Sequence, residues 1–214
     1  MAAFAEEIAC NPAMQFGELP HGFASRFASK VGATQDCTQI VHSQREVKSD
    51  WELEMMAEGA DVQMAMFEAV AAVGGEGVPE IELVAAAEAV SRAAGFGGNV
   101  QMRRFPLQCD RGVIVSGRAG GIPSFFDSAI GGTGPHPMAS MGSGFTKIKA
   151  NEPVLVDLVH LHRGYVVDTT RMFVAGTLSA VWQERLEDMV AVKEEVVDVL
   201  SQGLDCSQAW RQGL

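Results

Sequence analysis

The chain has 214 residues, of which 47% are hydrophobic and 20% are charged, so its composition predicts a packed core rather than a disordered chain. Its formal net charge of −11 at pH 7 argues against nucleic acid and anionic membrane surfaces as partners, because both are bound through clustered Lys and Arg. No apolar run approaches the ~20 residues of a membrane span, and four widely spaced cysteines predict free thiols in a reducing cytoplasm.

The first 45 residues have weak periodicity, and we interpret them as part of a larger unit. Glu6 and Glu7 lie in the opening stretch, which lacks the basic segment of a signal peptide. We predict one helix over residues 21–31 and a short strand near Ile40-Val41.

Two helices are predicted next. Ser49, followed three residues later by Glu52, forms a capping box at the start of the first helix, and Gly74 ends it. The apolar residues that follow helical spacing here are Leu53, Met56, Ala57, Ala60, Met64, Phe67 and Val70. Pro79 suits the first turn of the second helix. Its predicted buried stripe consists of Leu83, Val84, Ala87 and Val90, and Gly95 ends it.

The pattern then changes to strands and loops. Residues 99–105 and 113–116 are typical of strands, and residues 119–144 form a long loop rich in Gly, Pro and Ser, which is usually functional or mobile. A third helix is predicted from Ser179 to Gly203, and a fourth begins in residues 204–214. These helices start about 130 residues after the first pair and indicate an internal repeat. The alternative is two helix pairs around one sheet.

Residues 154–171 carry the most informative pattern in the chain. Two apolar runs flank Gly164, which predicts a β-hairpin with Asp157 on one strand and Asp168 on the other. A turn at His162-Arg163 would set the two aspartates directly opposite, and a turn at Arg163-Gly164 would set them diagonally. Either register places both carboxylates on one face, about 5 to 8 Å apart. Such charges repel unless a shared proton or an oxygen-preferring divalent metal compensates.

Two histidines lie in the same hairpin, and one arginine follows it. His160 and His162 could form a metal-binding pair, but they face away from the aspartates, and we interpret them as part of a solvated turn. Arg171 could bind a substrate carboxylate, although a structural ion pair is the simpler interpretation.

The string VLVDLVHLHRGYVVDTTRMFVAG resembles the metal-binding hairpin of the pita-bread metallopeptidases, which include Xaa-Pro aminopeptidases, prolidases, methionine aminopeptidases and creatinase. The residues that carry the resemblance are Asp157, Gly164-Tyr165, Asp168-Thr169-Thr170-Arg171 and Gly176. Residues 45–56, 123–135 and 151–153 are similar to other stretches of the Xaa-Pro branch.

This resemblance implies an α+β fold: the first half of a pita-bread fold, with two helices packed on an antiparallel sheet, plus the opening helices of the second half. Residues 1–45 would be the tail of an N-terminal creatinase-like domain, and residues 46–214 a partial metallopeptidase domain. Asp157 and Asp168 would bind two divalent metal ions (Mn, Co or Zn). A histidine and two glutamates of the complete site would lie beyond Leu214, so the chain is expected to be a fragment.

The chain departs from the family in one loop. Ala119 stands where Asn is usual, and Ser124 stands where a substrate-side His is usual. His136, further along the loop, is the candidate substitute and hence a candidate catalytic residue.

The resemblance therefore implies a cytoplasmic hydrolase that cleaves short peptides next to proline, as an Xaa-Pro aminopeptidase or dipeptidase does. The 214 residues alone are expected to be inactive. The alternative is a non-catalytic peptide- or protein-binding module of the same fold. A third interpretation, a remnant of a broken gene, predicts exposed surface that a homodimer could bury.

Overall fold

The structure is a computed structural model that describes residues 12–33, 35–96, 100–101, 108–109, 112–123 and 131–214. These residues form six α-helices, α1 (His21–Val31), α2 (Thr38–Glu46), α3 (Asp50–Val73), α4 (Glu80–Ala93), α5 (Ala180–Ser201) and α6 (Cys206–Gln212). The strands are β1 (Ala13–Met14), β2 (Gln35–Asp36), β3 (Val100–Gln101), β4 (Gln108–Cys109), β5 (Gly112–Ser116), β6 (Pro153–His162) and β7 (Tyr165–Val174). None of the described helices is both long enough and apolar enough to span a membrane.

The strands form one three-stranded sheet and two small pairs. The order in the larger sheet is β5-β6-β7, and β6 and β7 are the arms of the predicted hairpin. Strands β1 and β2 pair in parallel, and β3 and β4 pair antiparallel. The chain divides into two compact units. The first contains Met1–Ala69, Ala86–Gly112 and Asp157–Thr169, and the second contains Val70–Ala85, Val113–Val156 and Thr170–Leu214.

The first unit contains the hairpin tip and most of α3. Helix α3 begins as predicted, because the Ser49 backbone N–H donates to Glu52 Oε2 at 2.7 Å and the Glu52 N–H donates to Ser49 Oγ at 3.4 Å. The buried face of α3 in this unit consists of Met55, Gly59, Gln63, Met66 and Phe67. The predicted apolar set is therefore only partly buried: Phe67 and Val70 are buried, whereas Leu53 and Met64 are more than half exposed.

The predicted strand near Ile40-Val41 is also wrong, because these residues lie within α2. Helix α2 has no buried residue, and Ile40 is 66% exposed. A β-branched pair favours a strand only where a neighbouring strand and a core are available to pack against it. The predicted helix over residues 21–31 is confirmed as α1.

The second unit is organised around a buried carboxylate. Glu80, the first residue of α4, is fully buried and accepts hydrogen bonds from Ser116 N–H at 2.7 Å and Ser116 Oγ at 2.8 Å. It also accepts one from Gly144 N–H at 3.2 Å. These bonds join α4, the end of β5 and the loop before β6, and they satisfy a charge whose burial would otherwise be costly.

Helices α5 and α6 also lie in the second unit, and Ser179 is the N-cap residue of α5 as predicted. Val192 and Val196 are half-buried and, with the buried Ala209 of α6, line a small cavity. By contrast, the apolar set predicted for α5 is largely exposed: Val181, Leu186, Met189, Val190, Val197 and Leu200 are each between 38% and 60% exposed.

Candidate metal centre

The turn of the hairpin fixes which residues of β6 and β7 lie opposite each other. Strand β6 ends at His162 and β7 begins at Tyr165, with Arg163 at φ 48° and Gly164 at φ 96° between them. Two successive residues of positive φ identify a type I′ turn, whose twist matches that of the strands it joins. The second of the two registers considered from the sequence is therefore the one adopted.

This register places the two aspartates diagonally on one face. His162 lies opposite Tyr165, so counting back along both strands sets Val159 opposite Asp168, and Asp157 lies two residues beyond Val159. Residues two apart on a strand share a face, and diagonal neighbours are about 7 to 8 Å apart. Asp157 is half-buried. The Asp168 residue as a whole is exposed, although its carboxyl group is partly buried.

The two carboxylates influence each other electrostatically. Partial burial, and after it the negative charge of Asp157, raise the pKa of the Asp168 carboxyl group above its ordinary value. The pair therefore resists carrying two negative charges in the absence of a cation. A divalent metal that prefers oxygen ligands would remove this repulsion.

Behind the aspartates, α3 holds the hairpin through the buried amide of Gln63. Its Nε2 donates to the carbonyl oxygen of Leu158 at 2.6 Å and to that of Val167 at 2.8 Å. Its Oε1 accepts from Thr169 Oγ1 at 2.7 Å. Leu158 follows Asp157, and Val167 and Thr169 flank Asp168. One side chain therefore fixes the backbone next to both carboxylates.

Sequence reasoning missed Gln63, although a signal was present. Gln63 lies three residues after Ala60 and four before Phe67, so a polar residue stands among the apolar residues of α3. A buried amide needs partners for both its oxygen and its nitrogen, and a nearby strand can supply them.

Two further contacts from α3 reach the hairpin tip. Tyr165 Oη donates to Glu52 Oε1 at 3.0 Å, and His162 Nε2 lies 2.9 Å from Glu58 Oε2. Partial burial and the hydrogen bond to Glu52 raise the pKa of Tyr165. Gly59 permits this close approach, since a Cβ there would lie 2.8 Å from Val167 Cγ2.

His160 is fully buried, so its interpretation as part of a solvated turn is wrong. Its Nδ1 lies 2.8 Å from Ser91 Oγ, and its ring lies 6.0 Å from that of Phe96 and 5.9 Å from that of His162. Among the described residues, nothing bonds to its Nε2. Burial, and after it His162, lower the pKa of His160. Both histidines lie on the face of β6 opposite to that of Asp157, as their spacing predicted.

The third predicted site residue, His136, lies in the second unit and is exposed. Its Nδ1 accepts a hydrogen bond from the Met138 backbone N–H at 3.2 Å, and its carbonyl accepts one from the Ala139 N–H at 2.8 Å. An accepting Nδ1 requires the neutral ring to carry its proton on Nε2. Ala119 is buried in a short 3₁₀ helix, Gly117–Gly121, and Ser124 lies outside the described residues.

Asp157 and Asp168 fit part of a divalent metal site. They offer carboxylate oxygens on one face, with a charge repulsion that a cation would relieve. Within the part of the chain that the structure describes, no group of three or more His, Cys, Asp and Glu residues is arranged to hold a metal ion. The two aspartates alone would therefore supply only part of the ligands that a divalent metal needs.

Comparison with known proteins gives one family match and several structural matches. The sequence model of metallopeptidase family M24 matches residues 54–212. The prolidase from Pyrococcus horikoshii OT3 is similar at 19% identity and a TM-score of 0.70, over 92% of this chain and 50% of that chain. The X-Pro aminopeptidase from Thermotoga maritima MSB8 is similar at 16% identity and a TM-score of 0.69, over the same shares.

The Xaa-Pro dipeptidase from Bacillus anthracis is similar at 18% identity and a TM-score of 0.70, again over 92% of this chain and 50% of that chain. The chain therefore spans about half the length of these structures. A comparison with curated proteins gives no match.

Proposed function

Because the chain belongs to metallopeptidase family M24, we propose that it supplies the first half of a peptidase site that hydrolyses short peptides next to proline. The α+β fold class predicted from the sequence is confirmed. The chain has the first half of a pita-bread fold and the opening helices of the second half. At these identities the structural likeness concerns the fold alone, so substrate and reaction belong to the proposal.

One observation carries the proposal: Asp157 and Asp168 share a face of the hairpin closely enough for one charge to raise the pKa of the other carboxyl group. We propose both as ligands of a two-metal centre of Mn, Co or Zn. When bound, the metals supply a water that is nucleophilic near neutral pH and polarise the scissile carbonyl. The chain itself positions the two proposed ligands, because the hydrogen bonds of Gln63 hold the backbone next to both aspartates.

Two carboxylates are too few for such a centre. We propose that the histidine and two glutamates expected from the family come from polypeptide outside these 214 residues, and that the 214 residues alone do not hydrolyse peptides. We also propose that residues 1–45 are the tail of an N-terminal creatinase-like domain and that residues 46–214 are part of the catalytic domain. A cytoplasmic location and a homodimer stay predictions.

We propose His136 as the substrate-side histidine. Its Nδ1 is occupied by the Met138 N–H, so its Nε2 carries a proton and can donate a hydrogen bond to a carbonyl oxygen or to a developing oxyanion. In this tautomer the ring acts as a donor and not as a general base.

A specific observation favours the alternative function, a non-catalytic peptide-binding module. Ala119 and Ser124 replace the Asn and His that are usual in the matching loop, so the chain lacks the side-chain amide at the first position and the imidazole at the second. The same fold would then bind peptides without cleaving them.

An assay of the complete gene product tests the proposal. With Mn²⁺ or Co²⁺ present, we expect cleavage of Xaa-Pro dipeptides that Asp168→Asn abolishes. Asp61→Asn, which changes an exposed aspartate of α3, is the matched control and should retain activity. Peptide binding with no metal-dependent cleavage in the unaltered protein would reject the enzyme and support the binding module.

A further inference from the structure

Two histidine rings lie close together on the face of β6 opposite to that of Asp157. His160 and His162 are two residues apart in this strand, and their ring centres are 5.9 Å apart. Two imidazoles that bind one metal ion through bonds of about 2.0 to 2.1 Å have ring centres about 5 to 6 Å apart. The spacing of the two rings therefore suits an ion that they share.

One nitrogen of His160 is available to such an ion. The residue is fully buried, and its Nε2 has no hydrogen-bond partner among the residues that the structure describes. Buried polar atoms of this kind usually have a partner, so a ligand at Nε2 would satisfy it. Its Nδ1 lies 2.8 Å from Ser91 Oγ, which can accept a hydrogen bond from the ring and leave the Nε2 lone pair free. Burial also lowers the pKa of His160, which favours the neutral ring that a metal requires.

His162 has the matching arrangement with its two nitrogens exchanged. Its Nε2 lies 2.9 Å from Glu58 Oε2, and no hydrogen bond from the described residues reaches its Nδ1. When Nε2–H donates to the carboxylate, Nδ1 is left as the atom that can bind a metal. Histidines that bind metals usually donate their second ring nitrogen to a carboxylate or another acceptor, which orients the ring. Glu58 of α3 and Ser91 of α4 are in place to do this for the two rings.

The ligand atoms decide which ions suit the pair. Imidazole nitrogen suits zinc and copper, whereas Mn²⁺ prefers oxygen ligands. The His162 side chain is 15% exposed, so an ion can approach it from solvent. Within the described ranges, no third His, Cys, Asp or Glu joins the pair to form a larger ligand group, so water would fill the remaining positions around the ion.

We propose that His160 Nε2 and His162 Nδ1 together bind one transition-metal ion that prefers nitrogen, such as Zn²⁺, with water completing its coordination. Ser91 and Glu58 are positioning residues, because they hold the two rings without touching the ion. The bound ion joins the hairpin to α3 and α4 and stabilises the folded chain. The site does not depend on the proposed peptidase function, because the Asp157 side chain projects from the other face of β6.

The test adds Zn²⁺ to the Asp168→Asn variant, which lacks the aspartate pair, and follows the histidine ring nitrogens by NMR. We expect one Zn²⁺ per chain with a Kd of about 1 to 100 μM, because the site has half the protein ligands of a structural zinc site. The signals of His160 Nε2 and His162 Nδ1 should shift together, while protons stay on the other nitrogen of each ring. Mn²⁺ at the same concentration should leave both rings unchanged.

Variants of the two positioning residues separate metal binding from a merely structural role. Glu58→Gln and Ser91→Ala should each weaken Zn²⁺ binding by about tenfold, the usual effect of removing a hydrogen-bond partner from a metal-binding histidine. Glu54→Gln, at an exposed position one turn earlier in α3, is the matched control and should leave the Kd unchanged. His162→Gln, which changes a partly exposed ring, should abolish saturable binding.

Several results would overturn this site. They are a Zn²⁺-dependent shift in only one of the two rings, shifts at His21 or His136 in place of the pair, and equal Kd values in Glu58→Gln and Glu54→Gln. Failure of the complete gene product to cleave peptides would reject the proposed peptidase function and leave the histidine site standing, because these measurements do not involve catalysis.

Discussion

Thr169 Oγ1 donates a hydrogen bond to Gln63 Oε1 at 2.7 Å, which joins the strand residue next to Asp168 to the buried face of α3. The same amide group donates to two hairpin carbonyls, so all three of its hydrogen bonds go to the hairpin. The geometry of the aspartate pair therefore depends on a residue that would itself touch no metal.

Gln63→Leu should destabilise the chain by about 1 to 3 kcal/mol, because it leaves buried polar groups of the hairpin without a partner. Urea unfolding measures this change. Gln44→Leu, at an exposed position of α2, is the matched control and should change the free energy of unfolding by less than about 0.5 kcal/mol. Equal effects of the two substitutions would show that the Gln63 bonds contribute nothing.

Asp168→Asn should have effects of opposite sign with and without metal. The pKa of Asp168 is raised, so the folded chain holds its proton more tightly than the unfolded chain, and stability falls as pH rises from the ordinary value of 3.8 through the raised value. At pH 7 without metal, the variant should therefore melt at a higher temperature than the unaltered chain. Below pH 3.8 this difference should disappear.

Addition of Mn²⁺ should raise the melting temperature of the unaltered chain and leave that of Asp168→Asn unchanged, because only the former keeps both carboxylates. Asp61→Asn should respond to Mn²⁺ as the unaltered chain does. A metal-free Asp168→Asn variant that is less stable at pH 7 would contradict the repulsion between the two aspartates.

Gly59→Ala should destabilise the chain by about 1 to 3 kcal/mol through overpacking, despite the better helix propensity of Ala. The new Cβ would lie 2.8 Å from Val167 Cγ2 and 3.1 Å from His162 Cβ. Gly22→Ala in α1 has no atom within 4 Å and should be neutral or stabilising by up to about 1 kcal/mol. Val167→Ala should offset part of the Gly59→Ala loss, and additivity of the two changes would argue against the contact.

His160 should make the chain less stable in mild acid. Its pKa is lowered by burial from 6.5, so the unfolded chain binds the proton more readily, and stability is lost as pH falls below 6.5. His160→Gln should flatten this pH dependence in denaturant titrations. His21→Gln, at an exposed position of α1, should leave the pH dependence of stability intact. An equal effect of both variants would contradict the conclusion that His160 causes the loss of stability in mild acid.

Local signals in the sequence predicted much of this fold. The capping box at Ser49 and the turn at Gly164 both occur in the structure. Each depends only on residues within four positions along the chain. The burial of Gly59 and Gln63 in α3 was not predictable in this way, because these residues contact residues about a hundred positions later. His160 was misjudged for the same reason, since its partner Ser91 lies 69 positions earlier.

Paramagnetic broadening of amide NMR signals by Mn²⁺ tests most directly whether Asp157 and Asp168 hold a metal together. At low Mn²⁺, we predict that the signals of residues 157–159 and 167–169 weaken first, and that this selective loss disappears in both Asp157→Asn and Asp168→Asn. Loss centred on the acidic surface of α5, or selective loss that survives either substitution, would contradict a shared metal site on the hairpin.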